Sequence, residues 1–120
     1  MIEKKVPTIT TQEASWLFKT LGDPTRLRIL ALLSQREHCN CELVAIFEIS
    51  QPAISRHIAR LKESRLILER RQGQWVYYSL DHDRWDQLPS LSQMIDDMLT
   101  SDPLVQHAKT TVAECSLPGE

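Results

Sequence analysis

Cys39-Asn40-Cys41-Glu42-Leu43-Val44-Ala45-Ile46-Phe47-Glu48-Ile49-Ser50-Gln51-Pro52-Ala53-Ile54-Ser55-Arg56-His57-Ile58-Ala59-Arg60-Leu61-Lys62-Glu63-Ser64 decides the fold of this 120-residue chain. Leu43, Ile46 and Phe47 make one face of a short helix over 41–47. Ser50 then caps a longer helix in which Pro52 is tolerated in the first turn and Ile54, Ile58 and Leu61 form a buried stripe. Gln51, Ser55, Arg56, His57 and Arg60 fall elsewhere on that cylinder. Two helices joined by a tight turn, the second polar at its N-terminal end, match a helix-turn-helix. The Cys39/Cys41 pair at the head of the first adds a soft-metal site next to a DNA-reading helix.

Outward from this centre, Ala14, Leu17, Phe18 and Leu21 lie on one face of a helix over Thr11–Leu21, stopped at Gly22. Asp23-Pro24 is a cap followed by proline at the first helical position, opening a second helix, Pro24–Leu33, on Leu27, Leu30 and Leu33. The polar run 34–38 ends it. On the other side, 66–71 and Trp75–Leu80 are β-rich runs separated by Gln72-Gly73-Gln74, a hairpin whose tip is flanked by Arg70 and Arg71. A fifth helix begins near Asp83 and carries Trp85, Leu88, Leu91, Ile95, Met98 and Leu99, with a kink expected at Pro89. Asp102-Pro103 repeats the cap-then-proline signal for a last short helix. The expected organisation is a loose arm over 1–10, a domain over 11–100 and a tail over 101–120.

The length allows one domain, small enough for dimerisation to stabilise it. Net charge is −2, so overall basicity does not argue for nucleic acid; its distribution does. Residues 51–80 hold six Lys/Arg against two acids, whereas 81–120 hold two against eight. One surface can therefore face phosphate while another repels it. No apolar run approaches the roughly 18 residues of a membrane span, and a cytoplasmic protein is expected. Three cysteines is an odd number, and Cys39 and Cys41 are too close for an ordinary structural disulfide, so the pair reads as a metal or redox site. An isolated cysteine such as Cys115 is more often a small buried hydrophobe. No nucleophile–base pair, phosphate-binding glycine loop or cofactor fingerprint marks an enzyme.

The element order, together with Leu21-Gly22-Asp23-Pro24-Thr25-Arg26-Leu27-Arg28-Ile29-Leu30, Ser50-Gln51-Pro52-Ala53-Ile54-Ser55-Arg56-His57 and Arg70-Arg71-Gln72-Gly73-Gln74-Trp75-Val76-Tyr77-Tyr78, resembles the ArsR/SmtB family of bacterial metalloregulatory repressors. The resemblance covers most of residues 11–100. It implies a mainly α, winged helix-turn-helix homodimer, joined through its first and fifth helices, that holds double-stranded operator DNA when metal-free and releases it when metal binds. Trp16, Leu17, Leu21, Leu88, Leu91, Ile95 and Met98 are the interface candidates. Cys39-Asn40-Cys41-Glu42-Leu43 is similar to the Cys-x-Cys box of arsenic-responsive members, a box also found in cadmium/lead-responsive ones. Val44 stands where some arsenic repressors carry a further cysteine, which leaves Cys115 as the third thiol. Neither Asp81-His82-Asp83 nor His107-Ala108-Lys109-Thr110 supplies the family's zinc-type site.

The implied inducer is As(III) or Sb(III) held by Cys39, Cys41 and Cys115 in a three-sulfur pyramid; zinc usually takes four ligands, and His38 can add a nitrogen for zinc or cadmium. A cadmium-, lead- or zinc-responsive repressor and a thiol-redox switch remain the alternatives. On the DNA side Gln51, Ser55 and Arg56 can reach base edges, and His57 and Arg60 base or phosphate. Arg70, Arg71 and Gln74 suit the backbone or minor groove. Residues i and i+2 of an α-helix point about 200° apart, so two thiolates at Cys39 and Cys41 are expected to converge only if the helix's first turn unwinds.

Overall fold

The computed structural model describes residues 9–111. Helix α1 (Thr11–Leu21) opens with a capping box: Thr10 Oγ1 accepts from the Glu13 amide at 3.0 Å, and Glu13 Oε1 accepts from the Thr10 amide at 3.2 Å. Helix α2 (Pro24–Leu33) follows, with Asp23 Oδ1 accepting from the Thr25 and Arg26 amides at 2.8 and 3.2 Å. Strand β1 (His38–Cys39) precedes helices α3 (Asn40–Phe47) and α4 (Gln51–Glu63). Strands β2 (Ile67–Gln72) and β3 (Trp75–Leu80) form the wing, and α5 (His82–Trp85), α6 (Pro89–Ser101) and α7 (Pro103–Thr111) complete the described chain.

The structure differs from the sequence reading in three places. The fifth helix is two: α5 ends after one turn, and α6 starts with Pro89 in its first turn, because proline lacks the N–H that a continuous helix would need there. His38 and Cys39, expected to belong to a loop and a helix start, pair antiparallel with Tyr78 and Tyr77. The hairpin thereby becomes a three-stranded sheet of order β1-β3-β2. Finally, Gln72 pairs with Trp75, so the turn is only Gly73-Gln74; Gly73 at φ 62 takes its first central position, where a type II′ turn puts glycine.

The core lies where α2 packs against α4, α6 and α7, and α3 against α4 and α7. Ile29, Leu30, Leu43, Ile54, Leu61 and Leu66 are fully buried, each worth about 1.5–3 kcal/mol of hydrophobic stabilisation. Val105 and Ala108 of α7 join them. Arg28 Nε donates to Asp102 Oδ2 at 2.9 Å, while Asp102 Oδ1 accepts from the Leu104 and Val105 amides, fixing the α6–α7 corner to α2. Trp85 is buried and donates through Nε1 to Leu66 O at 2.8 Å, tying α5 to the end of the helix-turn-helix. The recognition helix α4 is bracketed by Glu48 (φ 56) and Arg65 (φ 59), both left-handed without being glycine. Each closes a helix end: the Glu48 amide reaches Val44 O, and the Arg65 and Leu66 amides reach Lys62 O and Leu61 O.

Candidate nucleic-acid interface and thiol site

Helix α4 puts its apolar stripe inward and leaves Gln51, Ser55, Arg56 and Arg60 exposed. Ser50 Oγ accepts from the Ala53 amide at 3.2 Å, which fixes the N-terminal turn from which these side chains project. His57 departs from the expected free position. It is half-buried, its Nδ1 lies 3.4 Å from an Arg26 guanidinium nitrogen, and burial, followed by the Arg26 and Arg56 charges, pushes its pKa down despite Asp23. His57 therefore faces α2 as much as solvent.

On the wing, Arg71 and Gln74 are exposed, Arg71 beside Glu69 at 3.5 Å. Arg70 is exposed but engaged: its guanidinium pairs with Glu37 in two bonds of 2.8 and 3.0 Å, donates to Gln72 Oε1 at 2.7 Å and lies 4.6 Å over the Tyr77 ring. The Arg70 hydrogen bond holds the Glu37 carboxyl below its ordinary range. No local pattern signals Glu37, because the pairing closes across 33 residues.

The cysteines correct the unwinding expectation. Cys39 is the N-cap of α3, in extended geometry (φ −88, ψ 162) and held by its pairing with β3, while Cys41 sits in the first turn. The 200° rule applies only between residues that are both helical. Here the two sulfurs lie 3.2 Å apart with the helix intact. Glu42 organises the surroundings: Oε1 accepts from the Cys39 amide and from His38 Nδ1, both at 3.1 Å, and Oε2 lies 3.4 Å from Arg36. Burial opposes charge on Glu42, but these donors outweigh it and lower its pKa. Burial raises the Cys39 thiol's pKa. Asn40 Oδ1, also buried, has no hydrogen-bond partner. Among the described residues no group of three or more His, Cys, Asp and Glu is arranged to hold a metal ion; Cys115 lies outside those residues.

Of the interface candidates, Leu17, Leu21 and Ile95 are buried within the protomer, Leu88, Leu91 and Met98 are half-buried, and Trp16 is exposed, with Arg60 stacked 5.5 Å from its ring centre. Phe18, absent from the candidates, is 73% exposed. With Leu17, Leu21, Leu88 and Leu91 it lines an apolar groove of about 260 Å³ between α1 and the α5–α6 junction. Its helical register places it with the core residues, but the structure buries Leu17 and Leu21 and leaves Phe18 exposed beside them.

A helix-turn-helix followed by a two-stranded wing, with the second helix presenting polar side chains, is the architecture of a DNA-binding regulator. Residues 23–68 match the model of the bacterial regulatory protein, arsR family. The chain is 40% identical over 91 residues to the arsenical resistance operon repressor of Staphylococcus xylosus, covering 76% of this chain and 85% of that protein. It therefore belongs to the arsR family of bacterial regulatory proteins, a family of transcriptional regulators and not of enzymes.

It is also 45% identical over 84 residues to the arsenic resistance transcriptional regulator ArsR1 of Pseudomonas putida, covering 69% of this chain but 60% of that protein. Among solved structures, reduced HlyU from Vibrio cholerae superposes with a TM-score of 0.63 at 29% identity, over 78% of this chain and 92% of that one. The homodimeric winged helix-turn-helix domain of a possible ArsR-family regulator from Mycobacterium bovis gives 0.62 at 26% identity, over 75% and 83%.

Proposed function

We propose that the chain is a homodimeric transcriptional repressor that grips double-stranded operator DNA through α4 and the wing and releases it when As(III) or Sb(III) binds Cys39, Cys41 and Cys115. The observation that carries this reading is the 3.2 Å approach of the Cys39 and Cys41 sulfurs at the head of the helix that leads into the recognition helix. Relatives named as arsenical resistance repressors support the choice of inducer. So does the chemistry of the donors, since soft thiolate sulfurs suit thiophilic ions far better than hard cations. His38 Nδ1 is engaged by Glu42, which leaves Nε2 as the nitrogen it can offer to zinc or cadmium in the alternative reading.

The DNA roles follow the exposed chemistry. Gln51, Ser55 and Arg56 read base edges, Arg60 and His57 serve the flank, and Arg71 and Gln74 contact backbone beside the wing, with Arg70 available when Glu37 lets it go. Release needs no helix unwinding. Cys39 is hydrogen-bonded into the sheet that carries the wing, and Cys41 belongs to α3, which packs against α4. An ion that draws the two sulfurs toward a third pulls strand and helix together, shifting wing and recognition helix relative to each other. The ion's preference for that arrangement supplies the population shift. The dimer forms across α1 and α6 around Phe18, Leu88 and Leu91, and the protein works in the cytoplasm, where its DNA is.

A gel-shift series with the promoter region upstream of the chain's own gene tests the reading. Arsenite is expected to release wild type, zinc and peroxide to leave it bound, and Cys39→Ser and Cys41→Ser to stay bound in arsenite. Arsenic-edge X-ray absorption should count three As–S neighbours in wild type and fewer in Cys115→Ser. Release of the double-serine variant by arsenite would overturn the thiolate assignment.

A further inference from the structure

Beside the recognition helix, on the side toward α1 and α2, lies a polar cleft of about 180 Å³ lined by Trp16, Lys19, Thr20, Arg26 and Arg60. Its lining holds three cations and no carboxylate. We propose that this cleft is a seat for one backbone phosphate of duplex DNA, an anchor on the flank of α4 separate from the base-reading face and the wing. The proposal rests on the DNA-binding reading above and adds Lys19 and Arg26, which belong to neither the recognition helix nor the wing.

The cleft is built rather than incidental. Arg26 is aimed by its own Nε, which donates to Thr20 O at 2.6 Å at the C-terminal end of α1. Thr20 is itself buried and shares a 2.9 Å hydrogen bond with Ser64, the residue that ends α4, so the wall is pinned to the recognition helix. Arg60 is laid over the Trp16 ring, which gives a long cation a fixed platform on the opposite wall. Its nearest acid, Glu63, is 4.0 Å away at the surface, a contact of little energetic weight. Among the described residues neither Lys19 nor Arg26 has an ion-pair partner, although the protein pairs Arg28, Arg36, Lys62 and Arg70 with carboxylates.

Of the neighbouring carboxylates, Asp23 has its Oδ1 occupied by the Thr25 and Arg26 amides, and Glu13 and Glu63 line the adjoining groove that shares Trp16 and Lys19 with the cleft. With Glu63 touching only Arg60, and at the surface, the gathered cations repel one another in the free protein, a cost that an entering phosphate reverses. A phosphodiester fits the chemistry better than a base edge, because guanidinium and ammonium groups converging on a small polar cleft match tetrahedral oxygens and carry no base-specific pattern. On α4 the cleft's Arg60 is one turn beyond Arg56, so a duplex held by Arg56 runs its backbone past this wall.

The test is the salt dependence of binding to a mixed-sequence duplex of about 30 base pairs, because a phosphate contact is sequence-independent and each one contributes about 0.9 to the slope of log affinity against log salt. Lys19→Gln and the pair Lys19→Gln/Arg60→Gln are expected to bind on the order of tenfold more weakly at low salt, with a slope shallower by about 0.9. Lys19→Arg should keep the wild-type slope; a merely structural role for Lys19 would alter stability and leave the slope alone. If wild type showed no salt-dependent duplex binding, the DNA reading itself would fall, and this seat with it. If Arg56→Gln weakened binding while Lys19→Gln and Lys19→Gln/Arg60→Gln both kept wild-type affinity and slope, the seat alone would be overturned. Inorganic phosphate at constant ionic strength that bound wild type in preference to duplex, and lost that binding in Lys19→Gln, would reassign the cleft to a free anion and overturn the backbone assignment.

Discussion

Replacing Glu42 with alanine removes one carboxylate on which three groups converge, and the expected cost can be worked from the structure. The Cys39 amide and His38 Nδ1 each lose a 3.1 Å partner in a place where Cys39 is 1% and His38 3% exposed. A buried donor left unsatisfied costs about 1–3 kcal/mol, and the exposed Arg36 contact adds less than about 1 kcal/mol. For two such donors and the Arg36 contact the sum is about 2–7 kcal/mol, a large part of the roughly 5–15 kcal/mol that holds such a domain. Urea unfolding followed by circular dichroism, at fixed protein concentration with reductant present, should show a lower midpoint with an unchanged slope.

The sign with pH is determined. Hydrogen bonds and charge hold the folded Glu42 below its ordinary 4.5, so its contribution is full above that value and is lost as pH falls through the folded pKa. The gap between wild type and Glu42→Ala should therefore narrow in acid. A midpoint within error of wild type, or a gap that stays constant into strong acid, would refute the role given to this carboxylate. The same variant should weaken arsenite-driven release, because the N-cap that presents Cys39 is no longer fixed.

Three further outcomes are expected. Glu37→Ala frees Arg70 from its bidentate partner on the wing, so duplex binding should tighten and the salt slope steepen by about 0.9; an unchanged slope would mean that Arg70 never meets phosphate. Phe18→Glu puts a charge in the apolar groove beside Leu88 and Leu91, and sedimentation equilibrium should show the dimer dissociating at least about tenfold more readily, with the thermal midpoint of the monomer little changed. Trp85→Phe removes the 2.8 Å indole donor from Leu66 O, which keeps the Asp81 amide at 3.1 Å, and puts a smaller ring in a buried site, which together should cost about 1–3 kcal/mol by chemical unfolding and leave DNA affinity near wild type.

The parts legible in the sequence are those that local physics determines. Asp23-Pro24, Ser50 and Asp102-Pro103 mark helix starts through caps that need only two or three neighbouring residues, and the Ile54, Ile58, Leu61 stripe sets the face of α4. What was not legible depends on distant partners. A two-residue strand has no periodicity, so β1 emerges only when His38 and Cys39 meet Tyr78 and Tyr77. That pairing also overturns the geometry inferred for the cysteines, since an extended Cys39 turns its sulfur toward Cys41. Arg70 shows the same limit from the charge side: a basic wing reads as free charge until Glu37 is brought beside it. The cleft around Lys19 and Arg26 gathers residues from three helices and has no contiguous signature.

Glu48 and Arg65 leave α4 mounted between two backbone joints that side-chain-bearing residues adopt reluctantly, at a cost of roughly 1 kcal/mol each. Glycine at either position would relieve that strain while loosening the joint, so a more stable version of this protein is within reach by changes that blur the angle at which its reading helix is held. Any laboratory selection for heat tolerance should find these two sites early, and the survivors should hold DNA less discriminately.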